Sequence, residues 1–315
     1  MRFPTFTTFA VLYITTSFAA RAPRATCSDG HTTSNLACCI WFDVLSDIQD
    51  LFENACGDDA HDALRLAFHD AIAFSPKLVA QQQFGGGGAD GSIIKFSSIE
   101  LNYSANVGLD SIVNAEKEIA DNRGVSYGDM IQFAAAVSVG NCDGGPRLSF
   151  MAGRPNATQA APDGLVPQPF DSVSTILARV GDAGLSPDEM VELLASHSVG
   201  VQEDIDESIP GTPFDLTPTV FDTKFYNDTQ LGPQLIFPGD GPHQGEVKSP
   251  SLGQFRLQSD VALSRDNRTA PHWLALSLSQ QLMASRFAAS MAKMALLGQN
   301  PGVLYDCSDV IPVPK

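Results

Sequence analysis

One segment of the sequence gathers several side chains that can move protons or stabilise charge. Between Asp58 and Asp70, four such residues follow the spacing i, i+4, i+7 and i+11, namely Asp58, Asp62, Arg65 and His69. In an α-helix this spacing places them on one stripe, because residues three and four apart are neighbours. An imidazole one turn from a guanidinium can move a proton while the permanent positive charge stabilises a developing anion. The stripe therefore predicts acid–base chemistry, and a solvated helix face is the alternative.

A glycine-rich stretch follows this segment and admits three interpretations. It reads Phe-Gly-Gly-Gly-Gly-Ala-Asp-Gly-Ser from Phe84 to Ser92. No Gly-Lys-Ser/Thr follows it, which argues against a phosphate-binding loop. A flexible linker is the second interpretation. The third is a calcium site assembled from separate segments, with hard oxygen ligands from Asp70, the carbonyl of Gly88, Asp90 and Ser92.

The elements that would position these residues are mostly helices. Apolar residues at helical spacing predict helices over 40–52, 59–72, 109–121, 126–139, 171–182, 187–198 and 275–297. The helix at 187 has the clearest start, with Ser186 as N-cap, Pro187 at the first helical position and Glu189 completing a capping box. Loop-forming residues fill 83–92, 153–170, 205–220 and 232–254. No repeat or linker is evident, so 25–315 is expected to be a single domain.

The N-terminus indicates secretion. Met1-Arg2 precedes an apolar stretch from Phe9 to Phe18 and the small residues Ala19 and Ala20, as in a signal peptide. Residues 1–24 are therefore expected to be a signal peptide and a short pro-segment, which makes the mature protein extracellular. Later in the chain, no run approaches the ~20 apolar residues that span a bilayer, so no membrane association is expected. Four Asn-x-Ser/Thr triplets suit a secreted glycoprotein and predict surface positions for Asn102, Asn156, Asn227 and Asn267.

Charge and cysteine content exclude one class of partner and predict disulfides. The chain has a formal charge of −17, which excludes nucleic acid as a partner. Its six cysteines form an even set in an oxidising compartment, so three disulfides are expected, although their spacing does not fix the pairing. No Cys-x2-Cys pair occurs, which argues against a cysteine zinc site.

Three motifs together resemble a known family. Arg65-Leu-Ala-Phe-His69-Asp70, the glycine-rich stretch and Ala195-Ser-His197-Ser-Val appear in the order typical of secreted, lignin-degrading fungal haem peroxidases of class II. The similarity runs from about Ala25 to the Cys307-Ser-Asp-Val-Ile-Pro end. It implies an all-α, two-lobed monomer with one haem b between distal and proximal helices, two calcium ions and hydrogen peroxide as the oxidant.

The resemblance assigns a role to each residue around the haem. On the distal side, His69 would carry a proton from the near to the far oxygen of peroxide, Arg65 would stabilise charge, and Phe68 would pack over the haem. Asn106 would accept the ring N–H of His69, with Glu100 supporting Asn106.

On the proximal side, the resemblance makes His197 the iron ligand and Asp260 the acceptor of its other N–H. A carboxylate in that place makes the imidazole more electron-donating.

The resemblance also implies the calcium ligands and the disulfides. The distal calcium would be bound by Asp70, Gly88, Asp90 and Ser92, and the proximal calcium by Ser198, Asp215, Thr217, the carbonyl of Val220, and Asp222. The implied disulfides are Cys27–Cys39, Cys38–Cys307 and Cys56–Cys142.

The reducing substrate depends on positions that vary within the family. Lignin and versatile peroxidases relay electrons through a surface tryptophan, and in this sequence Glu192 stands at that position. The two tryptophans, Trp41 and Trp273, are interpreted as core residues, so direct oxidation of lignin through a tryptophan is disfavoured.

Manganese peroxidases bind Mn(II) with two Glu, one Asp and a haem propionate. This chain has Asp58, Asp62 and Glu203 at those positions, and Val201 replaces an arginine that orients the site. The charge needed by a hard divalent cation is kept, whereas the side-chain lengths are not. The sequence therefore predicts oxidation of Mn(II) to Mn(III) at a modified site. The alternatives are a generic peroxidase that oxidises phenols or dyes at the haem edge, and a non-catalytic haem- or calcium-binding glycoprotein.

Overall fold

The computed structural model describes residues 24–232 and 236–315. Residues 1–23, which are all but the last residue of the predicted signal peptide and pro-segment, lie outside the described residues. The helices are α1 Ile40–Leu51, α2 Asp58–Ile72, α3 Pro76–Ala80, α4 Ser92–Lys95, α5 Ser97–Glu100, α6 Asp110–Arg123, α7 Tyr127–Asn141, α8 Val173–Ala183, α9 Pro187–Leu193, α10 Lys224–Thr229, α11 Gln258–Leu263, α12 Ala270–Ser277 and α13 Gln280–Met294. Short 3-10 helices cover Leu36–Cys38, Ser104–Asn106, Leu194–Val199 and Pro301–Val303.

Strands are a minor part of the fold. Each is two residues long, and they form three antiparallel pairs: β1 Ala25–Thr26 with β2 Thr32–Thr33, β3 Met151–Ala152 with β6 Tyr305–Asp306, and β4 Val201–Gln202 with β5 Thr212–Pro213. The all-α prediction is therefore confirmed.

Two of the predicted helices differ substantially from the observed ones, whereas the others agree to within two residues at each end. The single helix predicted over 275–297 is wrong: α12 ends at Ser277 and α13 begins at Gln280, with Ser279 capping it by accepting from the backbone N–H of Leu282. The helix predicted over 187–198 begins with the expected Ser186–Glu189 capping box, but its α-helical part ends at Leu193 and the chain continues as a 3-10 helix.

The core is built around the pair α2 and α7, which pack closely together. All of α7 is buried, which suits its almost uninterrupted run of small and apolar residues. On α2, Ala63, Leu66 and Ala67 are buried in the same core, and the small alanines allow the two helices to approach closely. The stripe that carries Arg65 and His69 is thereby held on a rigid element.

Other sequence predictions concern buried and exposed positions. Trp41 and Trp273 are buried, as expected of core residues. The four asparagines of the glycosylation triplets are all exposed. The disulfides Cys27–Cys39, Cys38–Cys307 and Cys56–Cys142 form with the pairing implied by the family resemblance. Within 24–232 and 236–315, no helix has the length and apolar character that a membrane span requires.

Candidate active site

Helix α2 presents its chemistry on one partly exposed face. Asp62, Arg65, Phe68 and His69 are partly exposed, whereas Ala63, Leu64, Leu66 and Ala67 are buried around them. Asp58, at the first position of the helix, is exposed. The predicted stripe is therefore present, and its residues are the ones that a bound group could contact.

His69 and Arg65 are both held by the segment that contains the 3-10 helix Ser104–Asn106. The Nδ1 atom of His69 lies 2.8 Å from Oδ1 of Asn106. The guanidinium of Arg65 donates to the backbone carbonyl of Val107 at 2.8 Å. One short segment thus fixes the orientation of both side chains.

Asn106 is itself oriented by Glu100. Its Nδ2 donates to the backbone carbonyl of Glu100 at 2.9 Å, and this bond leaves Oδ1 as the atom that faces His69. The predicted support by Glu100 therefore comes from its main chain. Its buried carboxylate accepts instead from the backbone N–H of Ala161 at 3.0 Å, and burial raises its pKa to about 7.

The electrostatics around His69 favour an uncharged imidazole. Burial and the positive charge of Arg65 lower the pKa of His69 to about 3, and the hydrogen bond to Asn106 only partly offsets them. With Nδ1 protonated toward Asn106, Nε2 has a free lone pair. His69 also lines a small pocket with Asn106, Ala161 and Val166. The arrangement can accept a proton from a small molecule that enters this pocket.

His197 lies in the 3-10 helix that follows α9. Its Nδ1 is 3.0 Å from Oδ2 of Asp260, a buried carboxylate at the start of α11. The rings of Phe214 and Phe225 pack against the imidazole, with ring centroids 4.8 and 5.4 Å away. The side chain keeps 24% of its surface exposed.

These residues fit a haem iron. A metal-binding histidine typically donates its second N–H to a carboxylate, which fixes the tautomer and frees the other nitrogen, and His197 with Asp260 has this arrangement. The partly exposed Phe68 supplies an apolar surface beside the acid–base pair on α2. The donor set on each side therefore matches the chemistry that haem b requires.

The proposed distal calcium ligands include two neighbouring carboxylates, Asp70 and Asp90. Oδ2 of Asp70 accepts from the backbone N–H of Gly91 at 3.0 Å, whereas its buried Oδ1 has no partner. Burial, and then the charge of Asp90, raise the pKa of Asp70 well above its usual value, and burial raises that of Asp90 to about 6. Gly91 has a positive φ of 75°, and a side chain there would overlap the backbone of Gly128. A cation would relieve the repulsion between these buried carboxylates.

Three of the proposed proximal ligands, Asp215, Thr217 and Asp222, are in hydrogen-bonding contact. Oδ1 of Asp215 accepts from the backbone N–H of Thr217 at 2.7 Å, and Oγ1 of Thr217 lies 3.2 Å from Oδ2 of Asp222. Oδ2 of Asp215 is buried without a partner, and burial raises the pKa of Asp215 to about 6. Ser198 is fully buried, and its hydroxyl donates to the carbonyl of Ala195. The set supplies hard oxygens and fits calcium.

The three predicted manganese ligands are electrostatic neighbours. Burial raises the pKa of Asp62 to about 6, with smaller contributions from the charges of Glu203 and Asp58 and an opposing effect of Arg65. The pKa of Glu203, which follows β4, is likewise raised by burial and by the charge of Asp58, while the charge of Arg65 lowers it. The carboxylate oxygens of Asp58, Asp62 and Glu203 do not all approach within 4.8 Å of one another. The acids are therefore brought to one region without forming a closed ligand set.

Glu192 has a role that sequence reasoning missed. It is buried, with Oε1 2.9 Å from Nε2 of His272 and Oε2 accepting from the hydroxyl of Ser290. His272 and Ser290 lie on α12 and α13, so Glu192 joins three helices. The polar residues at 272 and 290, each on a helix that packs against α9, are the only sequence signal of this contact.

Comparison with known proteins agrees with this arrangement. The chain is 54% identical over 294 residues to versatile peroxidase VPS1 of Pleurotus eryngii, covering 93% of this chain and 79% of the relative. It is 51% identical to ligninase LG6 of Phanerodontia chrysosporium, covering 94% and 80%, and 47% identical to a peroxidase of Arthromyces ramosus, covering 99% and 87%. Residues 44–278 match the model of the peroxidase family, and 282–315 match the fungal peroxidase extension region. The chain belongs to the peroxidase family and is a fungal-type haem peroxidase.

Proposed function

We propose that this peroxidase is a secreted enzyme that uses hydrogen peroxide to oxidise Mn(II) to Mn(III). Each molecule of hydrogen peroxide takes up two protons and two electrons and becomes two molecules of water. The electrons come from two Mn(II) ions, which become two Mn(III) ions. In this proposal the enzyme acts outside the cell as a monomer, with two structural calcium ions, and takes part in lignin degradation.

The distal residues would carry out the proton transfer. His69 is uncharged over most of the pH range, so its Nε2 can take the proton from one peroxide oxygen and return it to the other. Arg65 supplies a fixed positive charge one turn away on the same helix. Asn106 holds the imidazole in the required tautomer through its 2.8 Å contact with Nδ1.

The proximal residues would hold the cofactor. Nε2 of His197 is the nitrogen left free by the contact between Nδ1 and Asp260. When bound, haem b supplies the iron that hydrogen peroxide oxidises and that the reducing substrate then reduces. The carboxylate of Asp260 makes the imidazole a stronger electron donor.

The observation that carries the manganese proposal is the electrostatic proximity of Asp58, Asp62 and Glu203. They come from two segments, the first two turns of α2 and the loop after β4. The charges of Glu203 and Asp58 both raise the pKa of Asp62, and the charge of Asp58 also raises the pKa of Glu203. Grouped carboxylates repel one another unless a cation lies between them. Since the oxygens do not yet converge within 4.8 Å, side-chain rotation would bring them to the ion.

Steady-state oxidation of Mn(II) in malonate buffer tests the proposal. We expect Asp62→Asn and Glu203→Gln to raise the KM for Mn(II) by at least about tenfold, because each removes one anionic ligand. The KM should also rise as the pH falls through about 6, where protonation of Asp62 competes with the cation. Oxidation of a small phenol by the same variants is the internal reference, because phenol oxidation does not depend on Asp62 or Glu203.

Glu207→Gln is the matched control, because Glu207 is an exposed acid in the same loop as Glu203. It should leave the KM for Mn(II) unchanged. If Asp62→Asn and Glu203→Gln behave like this control while the enzyme still turns over phenols, manganese specificity is wrong.

The open ligand geometry favours a second candidate function. An enzyme whose three acids do not close on a cation would oxidise phenols or dyes directly at the haem edge. A surface tryptophan route to larger aromatics has no support, because both tryptophans are buried. Direct phenol oxidation with a KM for Mn(II) that does not respond to Asp62 would establish this candidate.

A further inference from the structure

A second group of metal-binding side chains lies outside the site described above. Asp206, His243 and Glu246 place one nitrogen and two carboxylate oxygens within 4.8 Å of one another. Among the residues that the structure describes, no other three His, Cys, Asp or Glu residues come this close. Asp206 lies in the loop between β4 and β5, and the other two lie 37 or more residues further along the chain. Metal–ligand bonds are ~2 Å long, so these three ligand atoms need only small side-chain movements to bind one ion together.

The two carboxylates have unused oxygens in buried positions. Asp206 has no exposed surface, and although its Oδ1 accepts from the backbone N–H of Ser208 at 2.9 Å, its Oδ2 has no partner. Glu246 is also buried, and its Oε1 has no partner. A side chain at Gly239 would overlap Oδ2 of Asp206, so glycine leaves room beside that oxygen. Buried carboxylate oxygens without partners are costly, and a cation would satisfy them.

The histidine completes the donor set from the exposed side. Nε2 of His243 lies 3.5 Å from Oδ1 of Asp206 and 2.8 Å from Oδ1 of Asp240. The backbone N–H of His243 donates to Oε2 of Glu246 at 3.0 Å, which fixes the two residues relative to each other. The side chain of Asp240 is 72% exposed and can rotate to provide a fourth ligand.

We propose that Asp206, His243 and Glu246 form a binding site for a divalent transition-metal cation of the zinc class. One imidazole nitrogen with two or three carboxylate oxygens suits zinc, whereas calcium prefers oxygen ligands alone. The cation takes the place of the Nε2 proton of His243 and of the contact between Nε2 and Asp240. It ties the loop after β4, which also contains Glu203, to the segment 239–246. This proposal is independent of the manganese proposal.

Equilibrium dialysis of the holoenzyme against micromolar ZnCl2, followed by elemental analysis, tests the site. Millimolar CaCl2 keeps the calcium sites filled, and Asp62→Asn in the background removes binding at the acids of α2. We expect one zinc per chain in this background and its loss in His243→Asn and in Glu246→Gln. His31→Asn is the matched control, because His31 also contacts an aspartate, Asp29 at 3.0 Å, but has no third ligand.

Thermal unfolding with and without zinc is the second measurement. Zinc should raise the Tm of the background protein and of His31→Asn by several degrees, and should have no effect in the other two variants. Glu246→Gln keeps the shape of the side chain, so the test stands even if His243→Asn folds poorly. Equal zinc content in the background protein, His243→Asn and Glu246→Gln would overturn the proposal, as would the absence of bound zinc in all of them.

Discussion

His197 points its Nδ1 at the buried carboxylate of Asp260, 3.0 Å away. With His197 as the proposed iron ligand, this negative charge would make the imidazole a stronger donor and stabilise the ferric state. We expect Asp260→Asn to raise the Fe(III)/Fe(II) reduction potential of the haem-loaded enzyme, because the amide has a similar shape without the charge. Spectroelectrochemical titration measures the shift. Asp266→Asn removes an acid that pairs with Arg268 and should leave the potential unchanged; a similar potential in both variants would contradict the prediction.

The contact between His69 and Asn106 should control the reaction with peroxide. Without an acceptor at Nδ1, the imidazole loses its preferred tautomer, so Nε2 is less available as a base. We expect Asn106→Leu to lower the second-order rate constant for peroxide by about tenfold or more, part of the ~10² to 10⁴ typical of acid–base catalysis. Stopped-flow absorbance measures it. Ser104→Ala, in the same 3-10 helix, should react at the normal rate.

Arg65 should set the lower pH limit of the same reaction. Burial, and then the charge of Arg65, depress the pKa of His69 to about 3, so the imidazole stays uncharged down to that pH. We expect the rate constant for peroxide to be flat from pH 7 to about 4 and to fall as the pH approaches 3. Arg65→Leu removes the repulsive charge, so the pKa of His69 and the midpoint of this fall should move to higher pH. This shift is separate from any loss of rate that the substitution causes. A midpoint that stays in place or moves downward would show that Arg65 does not act on His69 electrostatically.

The site was predictable from sequence where local spacing decides the geometry. The stripe of Arg65 and His69 needs only a helix, and α2 is one. The start of α9 follows from Ser186 and Glu189, which cap it as expected. These features depend on contacts within one or two turns, and such contacts can be seen in the order of residues.

Features that depend on distant segments, or on one polar side chain that interrupts an apolar pattern, were not predictable from spacing. Asp206 and His243 come together only in the folded chain. The switch to a 3-10 helix before His197 follows from Ser198, whose hydroxyl donates to the carbonyl three residues earlier and competes with the α-helical bond. The break between α12 and α13 depends on the cap at Ser279, which apolar periodicity does not detect.

Removal of calcium should destabilise the enzyme in a pH-dependent way. Asp90 and Asp215 have pKa values raised to about 6 by burial, so without the cation they bind protons in the folded state that they would not bind when unfolded. Above pH 6 the proposed calcium ions would neutralise these carboxylates, and calcium at ~100 times its Kd should add about 3 kcal/mol to the free energy of unfolding. We expect EDTA to lower the Tm at pH 7 and to have a smaller effect at pH 5. Calorimetry at both pH values checks this; an equal loss at each would contradict it.

Glu192 should not tolerate the tryptophan that the family resemblance assigns to its position in lignin and versatile peroxidases. It is buried between helices, and its two oxygens contact His272 and Ser290. Glu192→Trp would leave His272 without its acceptor and force a larger ring into packed space, costing about 2 to 4 kcal/mol. Chemical denaturation measures this loss, and Glu192→Gln, which keeps the size of the side chain and one accepting oxygen, should lose less. We also expect no oxidation of bulky non-phenolic aromatics in the tryptophan variant, because a buried ring cannot take an electron from a large substrate at the surface. A stable Glu192→Trp enzyme that gains this activity would show that residue 192 reaches the surface.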